Sequence, residues 1–541
     1  MSETDRYFMI NNLKKNEELL LLLFTSSLLL LINIGNIKEF FCDDEYLYIK
    51  IAGEMFQKKV LFIPVWFEEA AYFKPPFTYW LMMMFFPFGG VNITTGRFSI
   101  AFISVFTIYF IYLLGKRLYG REEGYLAGLL TCTSFGYLIY GRVGMMDMPL
   151  TFFMTLSIYS FYRAFQEKSS FYGALFFALT GASCLVKGPI SIIILLSIAI
   201  IFLSFFGGWR IFFNIRSIAG ILVGIFLVLL WPLSIYCSGD WTNWYNFFIL
   251  RENMGKFSDS THYTILSLLP YYLQFFFPWS LIFLGIFPLI FLKKYFRRSE
   301  YAIPLLWFFC STLIFLLPET KLKHYTIPAL PALSLMVSAI WHKVKNHPLL
   351  KISLYITSIV FLLLFFILSG LIRLTFTFPP FIFLSMALFI TLIIIVFLIK
   401  GKLIHTIYGF SIWVILLILA GPYFTFESFP EEAISLIGNS SLGVVKKQIY
   451  LHSYFLNRPV RQISSREETV EILEKNGKII ISKGDLDTFQ KDSLLPSFRI
   501  IYSWEQWKGG FSPEEIFYSL SYSDISGLKE PVYIIQKEGS N

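Results

Sequence analysis

Up to residue 424 the chain is a series of long apolar runs separated by short polar turns. A helix needs about 20 mostly apolar residues to cross a bilayer, and the runs have that scale. They read as spans near 17–35, 97–115, 124–140, 148–165, 171–186, 189–206, 216–238, 268–291, 302–318, 325–342, 351–372, 379–399 and 403–424. The run 77–88 is also apolar, but its length of about 12 residues suits an interfacial or re-entrant helix better than a crossing. The result is about thirteen spans. Beyond residue 424 the apolar runs shorten and charge rises. Lys478–Ser482 (KIIIS), 498–502 (FRIIY) and 532–536 (VYIIQ) read as short strands. Ser464-x-x-Glu467 has the spacing of a capping box, opening a helix that ends near Asn476-Gly477. The pattern predicts an α-helical polytopic membrane domain over 1–424 and a small external α/β domain over 425–541.

Composition excludes an ordinary soluble enzyme: 56% of the 541 residues are hydrophobic, 15% are charged, and Phe alone supplies 61. The net charge of +9 would raise the question of nucleic acid in a soluble protein. Here Lys and Arg sit mostly between the apolar runs, so membrane lipids with acidic headgroups are the expected partners and nucleic acid is not. Lys14 and Lys15 place the N-terminus in the cytoplasm, and the first run reads as a signal anchor. Alternate turns on that side carry Lys116 and Arg117, Arg163 and Lys168, Arg210 and Arg216, Lys293 to Arg298, Lys343 to Lys351, and Lys400 with Lys402. If 77–88 crossed, the cluster at 293–298 would face outward, against the positive-inside bias. Two long external loops follow, 36–96 and 239–267. Cys42, Cys132, Cys184, Cys237 and Cys310 have no metal-ligand spacing, and their odd number argues against a disulfide framework.

Polar residues that a bilayer should exclude gather at the outer turns. Asp43-Asp44-Glu45 follows the first span; Lys74 precedes Pro75-Pro76; Gly96-Arg97 opens the second span. Further along come Gly141-Arg142 with Asp147, then Lys187-Gly188-Pro189. Loop 239–267 holds Arg251, Glu252, Lys256, Asp259 and His262, and the turn 319–325 holds Lys321, His324 and Tyr325. Any one of these cations reads equally well as a snorkelling side chain, and the acidic cluster reads also as a helix cap. As a set they suit an amphiphilic anion at the outer leaflet, with cations for phosphate and a carboxylate, Asp44 foremost, near a reacting centre. The prolines after Lys74 stiffen its backbone. His262 and Glu252 are suitable ligand types for a divalent metal, without tight ligand spacing.

In this order the motifs resemble the lipid-linked-sugar glycosyltransferases of the GT-C superfamily, family 39 and its bacterial relatives, and among them the lipid A aminoarabinose transferases. The matching pieces are Asp44-Glu45-x-x-Tyr48, Phe73-Lys74-Pro75-Pro76-x-x-Tyr79-Trp80, Gly96-Arg97, Gly141-Arg142 with Asp147-Met148-Pro149, Lys187-Gly188-Pro189, Pro278-Trp279 and Lys321-x-x-x-Tyr325-x-x-Pro328. The resemblance implies a polyprenyl-phosphate sugar donor, a lipid or glycolipid acceptor, Asp44 as catalytic carboxylate and Lys74 on the donor phosphate. It implies that Glu45, Arg97, Arg142, Asp147, Lys187, Lys256, Lys321 and Tyr325 bind substrate. Two departures stand out. The relatives commonly have Glu before Lys-Pro-Pro, a residue able to ligate metal, where this chain has Phe73. Their second loop usually ends in Arg-Phe, here Lys256-Phe257, which keeps the charge and loses the bidentate fork. His262, about where relatives have a histidine, remains the metal-ligand candidate. A protein acceptor and an amphiphile transporter are the alternative readings.

Overall fold

The computed structural model describes residues 3–35, 43–257, 267–317, 322–375, 381–420, 430–438, 440–445, 449–463, 466–490, 497–507 and 529–538. Each segment read as a span is helical over its described part, apart from short interruptions in two of them and terminal turns. Ile93–Leu118, Ser170–Lys187, Ile215–Ser238, Lys323–Val344 and Pro348–Gly370 are each long and apolar enough to cross a membrane. Shorter apolar helices include Ile190–Phe206, Ser280–Leu292, Ser299–Phe315 and Leu403–Leu419. The protein is a multi-pass membrane protein.

Two predicted spans are interrupted. The run 124–140 divides into Arg121–Cys132 and Phe135–Tyr140, and 268–291 divides into Leu269–Phe275 and Ser280–Leu292. Unpaired backbone polar groups are costly in an apolar medium, so irregular backbone there must find protein partners. These two breaks satisfy each other: Phe135 N–H donates to the Phe277 carbonyl at 2.8 Å, and the Trp279 indole N–H donates to Thr133 Oγ1 at 3.0 Å. Trp279 is fully buried, and the Phe277–Pro278 peptide is cis.

Helices Ser170–Lys187 and Ile215–Ser238 pack through small residues. A Cβ on Gly181 would lie 2.5 Å from Gly224 Cα, and one on Gly224 would lie 2.6 Å from the Phe177 carbonyl oxygen. Gly220 and Gly224 are four apart, so both face the partner helix, and backbones approach closely where side chains vanish.

The first long loop is ordered by its own small elements. Strands β1 (Val65–Trp66) and β2 (Glu69–Ala70) form a hairpin whose two turn residues, Phe67 and Glu68, have φ of 48° and 71°. Positive φ at both central positions is the turn whose twist matches a hairpin, and it is strained for a residue as bulky as Phe67. The helix Phe77–Gly89 rises about 20 Å, short of the roughly 30 Å hydrocarbon core. It leaves Phe88 and Met84 exposed and packs Phe85 against Phe98 and Phe102.

Contacts separate two compact units, Met1–Ile34 with Ile51–Leu362 and Leu388–Ile418, and Gly35–Lys50 with Leu363–Ala387 and Leu419–Asn541. In the second, strands β3 (Leu442–Val445), β4 (Arg461–Ile463), β5 (Lys478–Ser482), β6 (Phe498–Trp507) and β7 (Lys529–Lys537) form one sheet in the order β4-β3-β5-β7-β6. β3 pairs in parallel with β4 and β5, and β7 is antiparallel to both β5 and β6. Ile479 and Ile481 alternate onto one face and meet Ile472, Leu473, Leu486 and Phe489 from the helices Arg466–Glu474 and Lys483–Gln490. Residues 43–50 open the helix Asp43–Lys58 and pack on this unit: Tyr46 meets the rings of Tyr454 and Phe455, and Lys50 donates to Asn457 Oδ1 at 2.6 Å.

Candidate active site

Lys187, Gly188 and Pro189 form a helix junction. Lys187 ends Ser170–Lys187, where a cation complements the helix dipole; Gly188 turns the chain with φ 84°; Pro189 precedes the next helix. The junction aims Lys187 at Asp147, which starts the helix Asp147–Glu167, and Nζ reaches Oδ1 at 2.7 Å. Asp147 is 1% exposed, and its buried Oδ2 has no hydrogen-bond partner among the described residues. Burial works to raise the Asp147 carboxyl, yet His324 and Lys187 outweigh it and hold it below its usual value. Lys187 Nζ also lies 5.3 Å from the centre of the Tyr325 ring, which stacks on Phe315. Tyr325 feels the charges of both Asp147 and Glu252.

Glu252 is the partner of Lys74, with Nζ to Oε2 at 2.8 Å. Beside this ion pair, Phe73 sets its ring edge-on to Phe247, centroids 5.1 Å apart, and near-perpendicular to Trp66. Tyr72 donates its hydroxyl to Asp240, and burial, then that carboxylate, push its phenol well above the usual range. Three consecutive loop residues, 72 to 74, thus grip the segment 240–252.

Arg97 and Arg142 are both buried, at 2% and 7% exposure. Asn92 caps the helix Ile93–Leu118 by accepting from Thr95 N–H, which sets Arg97 in its second turn. Gly141 lets the chain close on the first helix, since a Cβ there would lie 2.7 Å from the Tyr137 oxygen and 2.8 Å from Leu30. Arg142 then donates to the Leu29 and Ile32 carbonyls, both at 2.7 Å. These are carbonyls that a helix end leaves without partners. Burial, and secondarily the charge of Arg97, bring the Arg142 guanidinium down to about 10.

Asp44 and Glu45 lie in the first turn of Asp43–Lys58, where acidic residues complement the helix dipole; Asp44 is partly exposed and Glu45 is buried. His262 and Lys321 lie outside the described residues, as do Ser464 and its side-chain cap; the Lys256 side chain lies outside them too. The ion-pair partner of Lys74, the Asp240 acceptor and the proximity of His324 to Asp147 do not follow from the motifs. Their signal was only a polar residue in a loop expected to face the same side.

Among the described residues, those around Lys74 do not fit the metal that the resemblance raises. Phe73 stands where a ligating Glu is expected and is packed among rings, and Glu252 is engaged with Lys74. Among the described residues no group of three or more His, Cys, Asp or Glu is placed to hold a metal ion.

The fold is the GT-C-like one that the motif order leads to expect. ArnT from Cupriavidus metallidurans, solved bound to undecaprenyl phosphate, superposes with a TM-score of 0.67 over 95% of this chain and 97% of that one, at 15% identity. In sequence the chain resembles the undecaprenyl phosphate aminoarabinose transferases. Residues 73–236 match the family model of dolichyl-phosphate-mannose-protein mannosyltransferases. A protein of Aquifex aeolicus is 29% identical over 57% of this chain and 62% of its own length. The undecaprenyl phosphate-alpha-4-amino-4-deoxy-L-arabinose arabinosyl transferase 2 of Pseudomonas fluorescens is 24% identical over 54% of each chain. The chain therefore spans less than two thirds of the length of these relatives.

Proposed function

We propose that the chain is a glycosyltransferase that moves a sugar from a polyprenyl phosphate of the undecaprenyl type to an envelope glycolipid such as lipid A. The reaction takes place at the outer face of the cytoplasmic membrane, with the N-terminus in the cytoplasm and residues 425–541 outside. The observation that carries this reading is the set of cations held at one group of turns: Lys74 paired with Glu252, and Lys187 with Asp147. Such a set suits a lipid phosphate, and the fold is one it shares with a protein solved bound to undecaprenyl phosphate.

In the proposed reaction the acceptor attacks the anomeric carbon from the face opposite the phosphate. The glycosidic carbon–oxygen bond breaks, its electron pair leaves with the polyprenyl phosphate, and Lys74 meets the charge that develops there. Lys256 is the better second cation, because two Arg142 nitrogens are committed to the Leu29 and Ile32 carbonyls. Asp44 takes the proton when the acceptor is a hydroxyl. When the acceptor is a lipid phosphate, Asp44 orients the sugar and steadies positive charge on its ring. The assay offers radiolabelled undecaprenyl phosphate sugar and lipid A to the purified protein in detergent. Asp44→Asn abolishes transfer with an unchanged thermal midpoint; near-normal turnover removes Asp44 from the reaction.

The match of residues 73–236 to a protein mannosyltransferase model favours a second reading, in which a protein Ser or Thr is the acceptor. A Ser/Thr peptide in the same assay decides between them by where the label goes. A transporter leaves both acceptors unlabelled. The interrupted helices would suit one, but their breaks are closed on each other by uncharged groups.

A further inference from the structure

We propose that Glu252 is a displaceable occupant of the phosphate site: its carboxylate holds the Lys74 ammonium until the lipid phosphate arrives, then gives way, and returns to help expel the product. The inference rests on the reading of Lys74 as a contact for the donor phosphate.

The pair is short, at 2.8 Å, and the two side chains are only 18% and 21% exposed. Solvent and salt screen such a pair incompletely, so a second anion at the same ammonium meets the carboxylate as a repulsive neighbour. Phosphate and carboxylate therefore compete for Lys74, although an ammonium has three N–H groups to offer.

The backbone shows how Glu252 can leave without disturbing Lys74. Glu252 lies in a π-helical segment, Tyr245–Asn253. Hydrogen bonding from i to i+5 brings residues five apart near one another on the helix surface. Phe247 and Glu252 have that spacing, and they meet the consecutive residues Phe73 and Lys74. In an α-helix five residues advance about 500°, which turns the fifth some 140° away from the first. An α-helical segment would therefore not present both side chains to Phe73 and Lys74 at once. The carboxylate contact depends on a rare backbone form, one that recurs at functional sites. Lys74 is also held from outside that segment, by the Phe73 ring against Trp66 and by the two prolines that follow. Release of the carboxylate leaves the ammonium in place for an incoming anion.

A counter-ion that merely orients Lys74 and one that competes for it give opposite signs on removal. The test measures undecaprenyl phosphate binding to the full chain in detergent by native mass spectrometry, with undecaprenol as the uncharged control. Glu252→Gln and Glu252→Ala are expected to bind undecaprenyl phosphate about tenfold more tightly than the unaltered chain, with undecaprenol binding unchanged. In turnover, Glu252→Gln slows more in steady state than in a single turnover, because product release becomes limiting. Weaker or unchanged phosphate binding in both variants overturns the proposal, and a misfolded variant cannot mimic a gain in affinity. Lys74→Met separates the two levels of argument. If it loses undecaprenyl phosphate binding, the reading of Lys74 stands whatever Glu252 does; if it binds as before, that reading fails first.

Discussion

Asp147 is buried against a largely covered Lys187, and a buried charge that loses its partner costs about 3 kcal/mol or more. Asp147→Asn leaves the Lys187 ammonium without its counter-charge, and the thermal midpoint in detergent is expected to fall by several degrees. The double variant Asp147→Leu with Lys187→Met removes both charges, so it should recover most of that stability while remaining inactive. Activity in the double variant would make the pair purely structural. The pH dependence has a definite sign. The Asp147 carboxyl is held below its usual value, so its contribution is complete above about pH 4 and is lost only as pH falls through the lower folded value. The stability gap between Asp147→Asn and the unaltered chain is thus expected not to close as pH falls from about 8 to about 5, because the Asp147 carboxyl stays ionised throughout, and a gap that closes within that window refutes the assignment. Much of this was legible in the sequence, because Lys187-Gly188-Pro189 and Asp147-Met148-Pro149 are local junctions whose backbone chemistry fixes where a side chain starts. Glu252 was legible as a loop carboxylate and a metal-ligand type, not as the partner of Lys74. Its pairing with Lys74 spans 178 positions of sequence and depends on a π-helical turn that no local pattern announces.

The elements were read more fully than the contacts between them. Apolar length finds a membrane helix well, since a bilayer leaves the backbone few alternatives. The interruptions at 133–134 and 276–279 escaped that reading, because Thr133, Ser134 and the single Pro278 among Phe and Trp do not break an apolar run on a hydropathy scale. In the C-terminal segment, β5, β6 and β7 carry conspicuous Ile and Tyr runs. β3, four residues long and fully buried, and the three-residue β4 give too short a pattern to register. The helix pair Ser170–Lys187 and Ile215–Ser238 shows how a small residue sets an element's position. Gly224→Leu forces the backbones apart at Phe177 and Gly181, and overpacking of this kind costs about 1–3 kcal/mol. Its thermal midpoint is expected to drop well below that of Leu222→Ala, a residue of the same helix that is 63% exposed. Equal midpoints would mean that the two helices are not held by this close approach.

At the scale of the whole chain, the proposed chemistry needs its turns on one side of the membrane, and that reduces to a parity argument. Eight predicted spans precede residue 293 and thirteen precede residue 425, provided the 13-residue helix Phe77–Gly89 does not cross. The even number returns the basic cluster at 293–298 to the side of the N-terminus, and the odd number sends the C-terminal segment to the other. If Phe77–Gly89 did cross, both parities would flip together. Three exposed positions therefore decide the matter: Glu17 near the N-terminus, Lys294 in the basic turn, and Gly484, around which a Cβ meets nothing within 4 Å. Placed one at a time in a chain freed of its own cysteines, Glu17→Cys, Lys294→Cys and Gly484→Cys are treated in spheroplasts with a maleimide that cannot cross membranes. Gly484→Cys is expected to react at once, and the other two only after permeabilisation. Immediate labelling of Lys294→Cys, with Gly484→Cys protected, would make Phe77–Gly89 a true span. Lys187 and Asp147, three and five crossings before the basic turn, would then move to the cytoplasmic side while Asp44 stayed outside. A donor phosphate held by Lys187 could not then reach the Asp44 carboxylate, so the proposed reaction requires the short helix to remain at the interface.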